Sequence, residues 1–316
     1  MKLSLVVPCH NEEENVELVA EQARTILQGI EYEIVFINDG SKDKTILKLK
    51  KIKEQQKDNI VIINFSRNFG KEAGLYAGLQ HASGDYVVII DADLQQPISV
   101  AREMYEFLEE NEDYDAVAAY QDVRKEGKVL TLFKSAFYTL INKLSDVELH
   151  KNASDFRCLR RVVVDAILEM AEYHRFSKGI FAWVGFNTYY RPYEVQERHA
   201  GTTSWSFWKL LNYAIEGMLS FSTKPLRMVT TLGIGTSVAA ILYMIVVILQ
   251  KLIWGNEVLG YPTIVVLILL LGGIQLTVMG IIGEYLGRTF NESKHRPLYF
   301  IERYNETKET NEHLNK

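Results

Sequence analysis

Two long stretches without a single charged side chain, residues 228–250 and 258–283, constrain this chain more than any other feature. A hydrocarbon core about 30 Å thick is crossed by roughly 20 helical residues, and each stretch is long enough to do it. A buried helix of a soluble protein is seldom so long and so evenly apolar. The link between them is short and carries Lys251 and Glu257, so the two spans are expected to form a hairpin. Lys224 and Arg227 precede the first span, and Arg288, Lys294 and Arg296 follow the second. Basic flanks favour the cytoplasmic side, which assigns both outer flanks to the cytoplasm. Gly233, Gly235, Ala239, Gly272, Gly273 and Gly280 suit close helix packing, within the hairpin or in a homo-oligomer, and the sequence leaves the oligomeric state open.

The rest of the chain reads as a different kind of object. Short apolar runs at residues 3–7, 33–37, 60–65, 86–90 and 116–120 have the length of buried strands. Between them, residues 13–28, 44–56 and 71–82 carry helical spacing, as in Val16, Val19, Ala20, Ala23 and Leu27. Strands alternating with helices at this spacing imply an α/β domain with a mostly parallel, Rossmann-like sheet. Further on, helices are expected over 129–144 and 162–173, with a loop around 152–157. Residues 206–222, with Phe207, Trp208, Leu211, Ile215, Leu219 and Phe221, read as an amphipathic helix at the membrane interface. The expected organisation is a domain over 1–205, an interfacial helix over 206–227, a hairpin over 228–286 and a cytosolic tail over 287–316, polar and flexible beyond Phe300.

The N-terminal apolar run is too short for a secretory signal, and acidic residues follow at once, so the large domain is expected in the cytoplasm. A net charge of −5 speaks against a general nucleic-acid binder. Cys9 and Cys158 lie far apart without metal-ligand spacing, which leaves two incidental thiols rather than a disulfide or zinc site.

In open α/β sheets, ligands bind beyond the carboxyl ends of the strands. The unusual polar clusters fall at such ends: His10-Asn11-Glu12, Asn38-Asp39, Arg67-Asn68 and Asp91-Ala92-Asp93. Two acids one residue apart at a strand end offer hard oxygen ligands for Mg²⁺ or Mn²⁺. Such an ion would bridge a nucleotide diphosphate and stabilise the leaving group. Asn38-Asp39-Gly40-Ser41 is either a capped turn or an acid that accepts hydrogen bonds from a base or ribose.

Taken in order, Val6-Val7-Pro8-Cys9-His10-Asn11-Glu12, Asn38-Asp39-Gly40-Ser41, Arg67-Asn68-Phe69-Gly70-Lys71-Glu72 and Asp91-Ala92-Asp93-Leu94-Gln95-Gln96-Pro97 resemble the family 2 glycosyltransferases of GT-A fold. The nearer resemblance is to polyprenyl-phosphate glycosyltransferases, of the dolichol-phosphate mannose synthase and bactoprenol glucosyltransferase types. Ser154-Asp155-Phe156-Arg157, Arg175-Phe176, Arg198-His199-Ala200-Gly201-Thr202-Thr203-Ser204 and the hairpin extend it over nearly the whole chain. The resemblance implies a nucleotide-sugar pocket of Pro8, Asn11, Glu12, Asp39, Ser41, Lys71, Asp91, Ala92 and Asp93. It implies a Mg²⁺ or Mn²⁺ site at Asp91, Asp93 and Gln95, and catalytic roles for Asp93, Asp155 and Arg157. It places acceptor phosphate at Arg157, Arg175, Arg198 and Ser204, where permanently charged guanidinium forks suit phosphate oxygens. Such enzymes usually carry a Lys soon after the last motif. Ser204-Trp205-Ser206 stands here instead, so that contact is either absent or moved, with Lys209 one candidate to carry it.

The implied reaction is inverting transfer of a sugar, from UDP-glucose first and from UDP-N-acetylglucosamine, UDP-galactose or GDP-mannose next, to polyprenyl phosphate at the cytoplasmic membrane face. A phosphate acceptor is already anionic near neutral pH, so Asp155 is either a base or an orienting group. A processive polysaccharide synthase would need more spans and a Gln-x-x-Arg-Trp motif, which Gln196-Glu197-Arg198-His199 does not supply. A non-catalytic membrane scaffold of the same fold would have no use for the Asp91/Asp93 pair.

Overall fold

A computed structural model describes residues 1–55, 59–121, 153–194, 216–217, 219–254 and 260–302 of the chain. The order of elements is β1 (Leu3–Cys9), α1 (Val16–Ile26), β2 (Tyr32–Asn38), α2 (Thr45–Gln55), β3 (Ile60–Asn64), α3 (Lys71–His81), β4 (Tyr86–Ile89), α4 (Ile98–Glu110) and β5 (Ala116–Gln121). There follow β6 (Ala153–Arg160), α5 (Arg161–Glu169), α6 (Ser177–Trp183), β7 (Thr188–Tyr193) and the long helices α7 (Lys224–Trp254) and α8 (Tyr261–Glu292).

Seven strands make one sheet in the order β3-β2-β1-β4-β6-β5-β7. The β1–β2, β1–β4, β2–β3 and β5–β7 pairs are parallel, while β6 runs antiparallel to both β4 and β5. Alternation along each strand builds two cores. Leu3, Leu5 and Val7 of β1, with Ile34 and Phe36 of β2, meet Val19, Leu49 and Met104 from α1, α2 and α4. Val6, Val35 and Ile37 face the other way, against Leu75 and Leu79 of α3 and Val164 of α5. Because both faces are covered, the central strands read as unbroken apolar runs.

Four differences from the sequence reading have physical causes. The loop expected around 152–157 is the start of β6, an internal strand whose Asp155 and Arg157 break its apolar run. Residues 98–110, not assigned above, form α4 with Ile98, Ala101, Met104, Tyr105 and Leu108 buried at helical spacing. α6 and β7 were also unread: α6 is only two turns long, and β7 is half-exposed and carries Arg191 and Pro192. Residues 301–302, expected to open a flexible tail, lie against the sheet: Phe65 and Ile301 form an antiparallel bridge. The helix expected at 129–144, most of the interfacial helix and the link over 255–259 lie outside the described residues.

α7 outruns its apolar stretch at both ends, and α8 runs past the end of its own, since backbone hydrogen bonding continues into the polar flanks. Leu269 and Leu276 are 69% and 72% exposed to the surroundings. The segments flanking the hairpin dock on the sheet domain. Tyr285 Oη donates to the carbonyl of Ser222 at 2.7 Å, and Arg288 Nη1 to Ser220 Oγ at 3.0 Å. At the end of α8, Glu292 accepts from the Tyr173 amide at 3.0 Å. Phe221 fills a space left by Gly179 on α6, where an added Cβ would lie 2.4 Å from its ring.

Candidate active site

The antiparallel strand explains how the site is assembled. Parallel strands β1, β2, β3 and β4 finish at one edge of the sheet. β6 begins there, because it runs the other way, with Ile89 of β4 opposite Arg157. The polar ends of four strands and the polar start of a fifth therefore share one edge.

On the first side of that edge, β1 and β2 hand over to tightly tied loops. Asp39 accepts two backbone hydrogen bonds, from Phe69 at 2.6 Å and Gly70 at 3.0 Å. Its own carbonyl is 2.8 Å from His10 Nδ1. Asn11 takes a left-handed backbone, φ 57°, which its short side chain tolerates. Its amide donates to Ser41 Oγ, and its Oδ1 accepts from the Lys42 amide, both at 2.9 Å. Glu12 accepts from Asn15 Nδ2 at 2.6 Å while its amide donates to Thr45 Oγ1 at 2.9 Å. Gly40, at φ +59°, passes so close to the next loop that a Cβ would sit 2.4 Å from the carbonyl carbon of Arg67. Only glycine fits a left-handed turn in that contact.

The second side holds the charged centre. Lys71, the first residue of α3, places Nζ 2.6 Å from Asp91 Oδ1 and 3.1 Å from Asp155 Oδ2. Burial would lower the lysine's pKa, but the two carboxylates outweigh it and push it up. Burial would likewise raise Asp155, yet Lys71, Lys178 and Arg157 hold it down at about 2. The other Asp91 oxygen accepts from Gln96 Nε2 at 2.9 Å, and Gln96 Oε1 in turn accepts from the Asp91 amide. Asp93 accepts from the Gln95 amide at 3.1 Å. Leu94 between them has φ +60°, a strained conformation for a leucine costing about 1–3 kcal/mol of the kind found at functional turns. Ala92 is buried, and Pro8 is the next-to-last residue of β1, the strand paired with β4.

Arg157 is buried, which lowers its pKa to about 10 despite Asp155. Its guanidinium stacks 3.8 Å from the Phe181 ring centre and donates to the Ser154 carbonyl at 3.1 Å, while its Nε has no hydrogen-bond partner among the described residues. Arg175 is turned to structural neighbours, with its guanidinium 4.6 Å over Tyr76 and donating to the Met170 carbonyl. Arg198, Ser204 and Lys209 lie outside the described residues.

Sequence reasoning passed over Glu72. It accepts from the Ser177 amide at 3.0 Å and from the Ser177 hydroxyl, tying α3 to the start of α6. Burial raises it to about 7. The signal was available, since Glu72 follows Lys71 on a helix whose next seven residues carry no charge.

The paired carboxylates fit a divalent cation of the Mg²⁺ or Mn²⁺ type, which binds few protein oxygens and completes its shell with phosphate and water. Among the described residues no third acid, His or Cys joins them.

The pattern of glycosyl transferase family 2 matches residues 4–168, and that of the GtrB C-terminal hairpin matches residues 224–289. This chain belongs to glycosyl transferase family 2. Together the two matches assign it a GT-A-type sheet domain, a glycosyltransferase activity and the two-helix hairpin. Its relatives include the prophage bactoprenol glucosyl transferase homolog of Escherichia coli K12, 44% identical over 96% of this chain and 99% of that protein. The bactoprenol glucosyl transferase of Shigella phage SfV is 44% identical over 95% of this chain and 98% of its own length. An uncharacterized glycosyltransferase of Synechocystis is 41% identical over 95% of both. The family 2 match ends inside α5, so it spans Lys71, Asp91, Asp93, Asp155 and Arg157 but not Lys178.

Proposed function

We propose that this glycosyltransferase moves glucose from UDP-glucose to a polyprenyl phosphate, undecaprenyl phosphate in bacteria, at the cytoplasmic face of the cell membrane. The observation that carries the reading is the Asp91–Lys71–Asp155 cluster, set at the ligand end of the sheet and one helix away from segments joined to a membrane hairpin. The relatives named as bactoprenol glucosyl transferases support the sugar and the lipid.

Asp39, with Pro8, Asn11, Glu12 and Ser41, holds the nucleoside, and Asp91, Asp93 and Gln95 face its diphosphate. A bound Mg²⁺ or Mn²⁺ would neutralise charge on the departing UDP. Lys71 and Arg157 supply fixed positive charge near the phosphates. In a site set up in advance, such charges need no reorganisation during the reaction. The acceptor phosphate oxygen attacks the anomeric carbon in line with the departing diphosphate, which inverts that centre. No proton has to be removed from an anionic acceptor. Asp155, held near pKa 2 by its cationic neighbours, is a poor base and orients Lys71 and Arg157 instead.

The hairpin returns to the sheet domain from both ends, so both of its flanks and the site share one membrane side. Basic flanks make that side the cytoplasm, where nucleotide sugars are made. Holding the site at the bilayer surface raises the effective concentration of a lipid whose phosphate lies there. A donor panel tests the reading. Purified protein, undecaprenyl phosphate, Mg²⁺ and labelled nucleotide sugars should yield a lipid-linked product with UDP-glucose well above UDP-N-acetylglucosamine, UDP-galactose or GDP-mannose. A different preferred sugar would correct the donor, and no lipid-linked product with any of them would defeat the proposal.

A further inference from the structure

We infer that residues 299–302, which follow the second membrane helix, are a positioning element for the nucleoside pocket. The inference rests on the reading of Asp39 as a nucleoside ligand.

β3 is an edge strand, and an edge leaves backbone donors and acceptors bare. The segment after α8 covers this one. Ser66 N donates to the Phe300 carbonyl at 2.9 Å, and Glu302 N to the Asn64 carbonyl at 2.7 Å. Two lines of contact then lead inward. The apolar line starts at Tyr299, whose ring stacks on Phe65 with centroids 4.8 Å apart. Its hydroxyl donates to Gln80 Oε1 on α3 at 2.8 Å. Phe65 meets Phe69 edge-on at 5.7 Å, and the Phe69 amide is the shorter of the two donors to Asp39.

The polar line starts at Glu302. Its carboxylate accepts from Asn64 Nδ2, and Asn64 Oδ1 accepts from Asn38 Nδ2 at 2.6 Å. An ionised carboxylate can only accept, so it dictates which way the Asn64 amide faces, and Asn64 then sets buried Asn38. Asn38 precedes Asp39 and its carbonyl takes the amides of both Gly40 and Phe65. Both lines end on the Asp39 turn. The strap thereby ties the far end of the membrane hairpin to the donor half of the site, while the phosphate-facing cluster at Lys71 is held by other contacts.

The test uses the full chain in detergent with the variants Tyr299→Ala and Glu302→Ala, and the conservative pair Tyr299→Phe and Glu302→Gln. Affinity is measured calorimetrically for UDP, or for GDP if the wild type prefers it, beside kcat and KM for sugar donor and lipid. Loosening one such contact line should raise nucleotide Kd and donor KM about tenfold. The kcat at saturating donor and the lipid KM should stay within about twofold, and the conservative variants should recover most of the affinity. Wild-type nucleotide affinity in both Ala variants, or a fall in kcat with donor KM unchanged, would overturn the inference. Asp39→Ala separates the two layers of argument. If it keeps full nucleotide affinity, the Asp39 reading fails, and the strap proposal with it. If it loses affinity while the strap variants keep theirs, the Asp39 reading stands and the strap proposal alone falls.

Discussion

The sheet domain and the hairpin are built from similar apolar residues put to opposite uses. Leu5, Phe36 and Leu75 are almost wholly buried between the sheet and its helices, whereas Leu269 and Leu276 point outward for most of their surface. In the first region side chains leave water by packing on each other, at about 25 cal/mol per Å² of apolar surface buried. In the second, hydrocarbon takes that role, so the helices need no shared core. Gly233, Gly235, Gly272, Gly273 and Gly280 have no neighbour within 4 Å of an added Cβ; within one chain the helices are not packed through these small residues. Chemistry follows the same division. Fixed charges collect where a packed sheet can hold them in place, and the hairpin contributes position.

This contrast predicts where substitutions will matter. The largest effect belongs to the charged edge: Asp93→Ala and Asp91→Ala should each lower turnover by about 10²–10³ or more. Unfolding midpoints should barely change, because a turn contributes little to the core. EDTA should mimic the variants, and Mg²⁺ or Mn²⁺ should restore the wild type only. Full activity of Asp93→Ala in metal-free buffer would remove the metal assignment. Next comes Arg157→Ala, expected to cost about 10²-fold in turnover, with Arg157→Lys recovering little because a lysine lacks the planar fork.

The seam between the two regions gives a smaller effect. Gly179→Ala drives a methyl group into the Phe221 ring, and overpacking of that kind costs about 1–3 kcal/mol. Lipid-acceptor KM should rise while UDP affinity holds. Adding Phe221→Ala should recover part of the loss, an interaction that a double-mutant cycle would read directly. Strictly additive losses would show that the interlock does not exist in the membrane.

The smallest effect concerns pH. Glu72 titrates at about 7 in the folded chain against an ordinary 4.5. Between those values the folded chain holds a proton that the unfolded chain releases, so this group's stabilisation falls as pH rises through the window. Glu72→Gln keeps an acceptor for Ser177 without the charge. It should raise the melting temperature at pH 8 by about 2–4 °C and leave it unchanged at pH 4. An equal shift at both values would assign the effect to packing.

Much of this division could be read from the chain. Charge-free stretches announced the hairpin, and apolar runs ending in Asn38-Asp39 and Asp91-Ala92-Asp93 announced the sheet and its ligand edge. What stayed hidden depended on partners distant in sequence. Asp155 and Arg157 looked like loop residues because a strand facing a polar site loses its apolar run. Lys71 showed no sign of standing between Asp91 and Asp155, which lie 64 positions apart in the sequence and come together only through the pairing of β4 with β6. The strap at 299–302 was invisible for the same reason: an edge strand's need for a partner is written in the topology, not in any local pattern.

The most direct test is sidedness of the reaction in sealed vesicles carrying the full chain. Labelled UDP-glucose, which cannot cross the bilayer, is added outside inverted vesicles and outside right-side-out ones, with undecaprenyl phosphate in both. Lipid-linked glucose should form with the inverted vesicles and be lost in Asp93→Ala. Product from right-side-out vesicles, or release of free glucose with no lipid-linked product in either, would contradict a cytoplasmic active site held at its lipid acceptor.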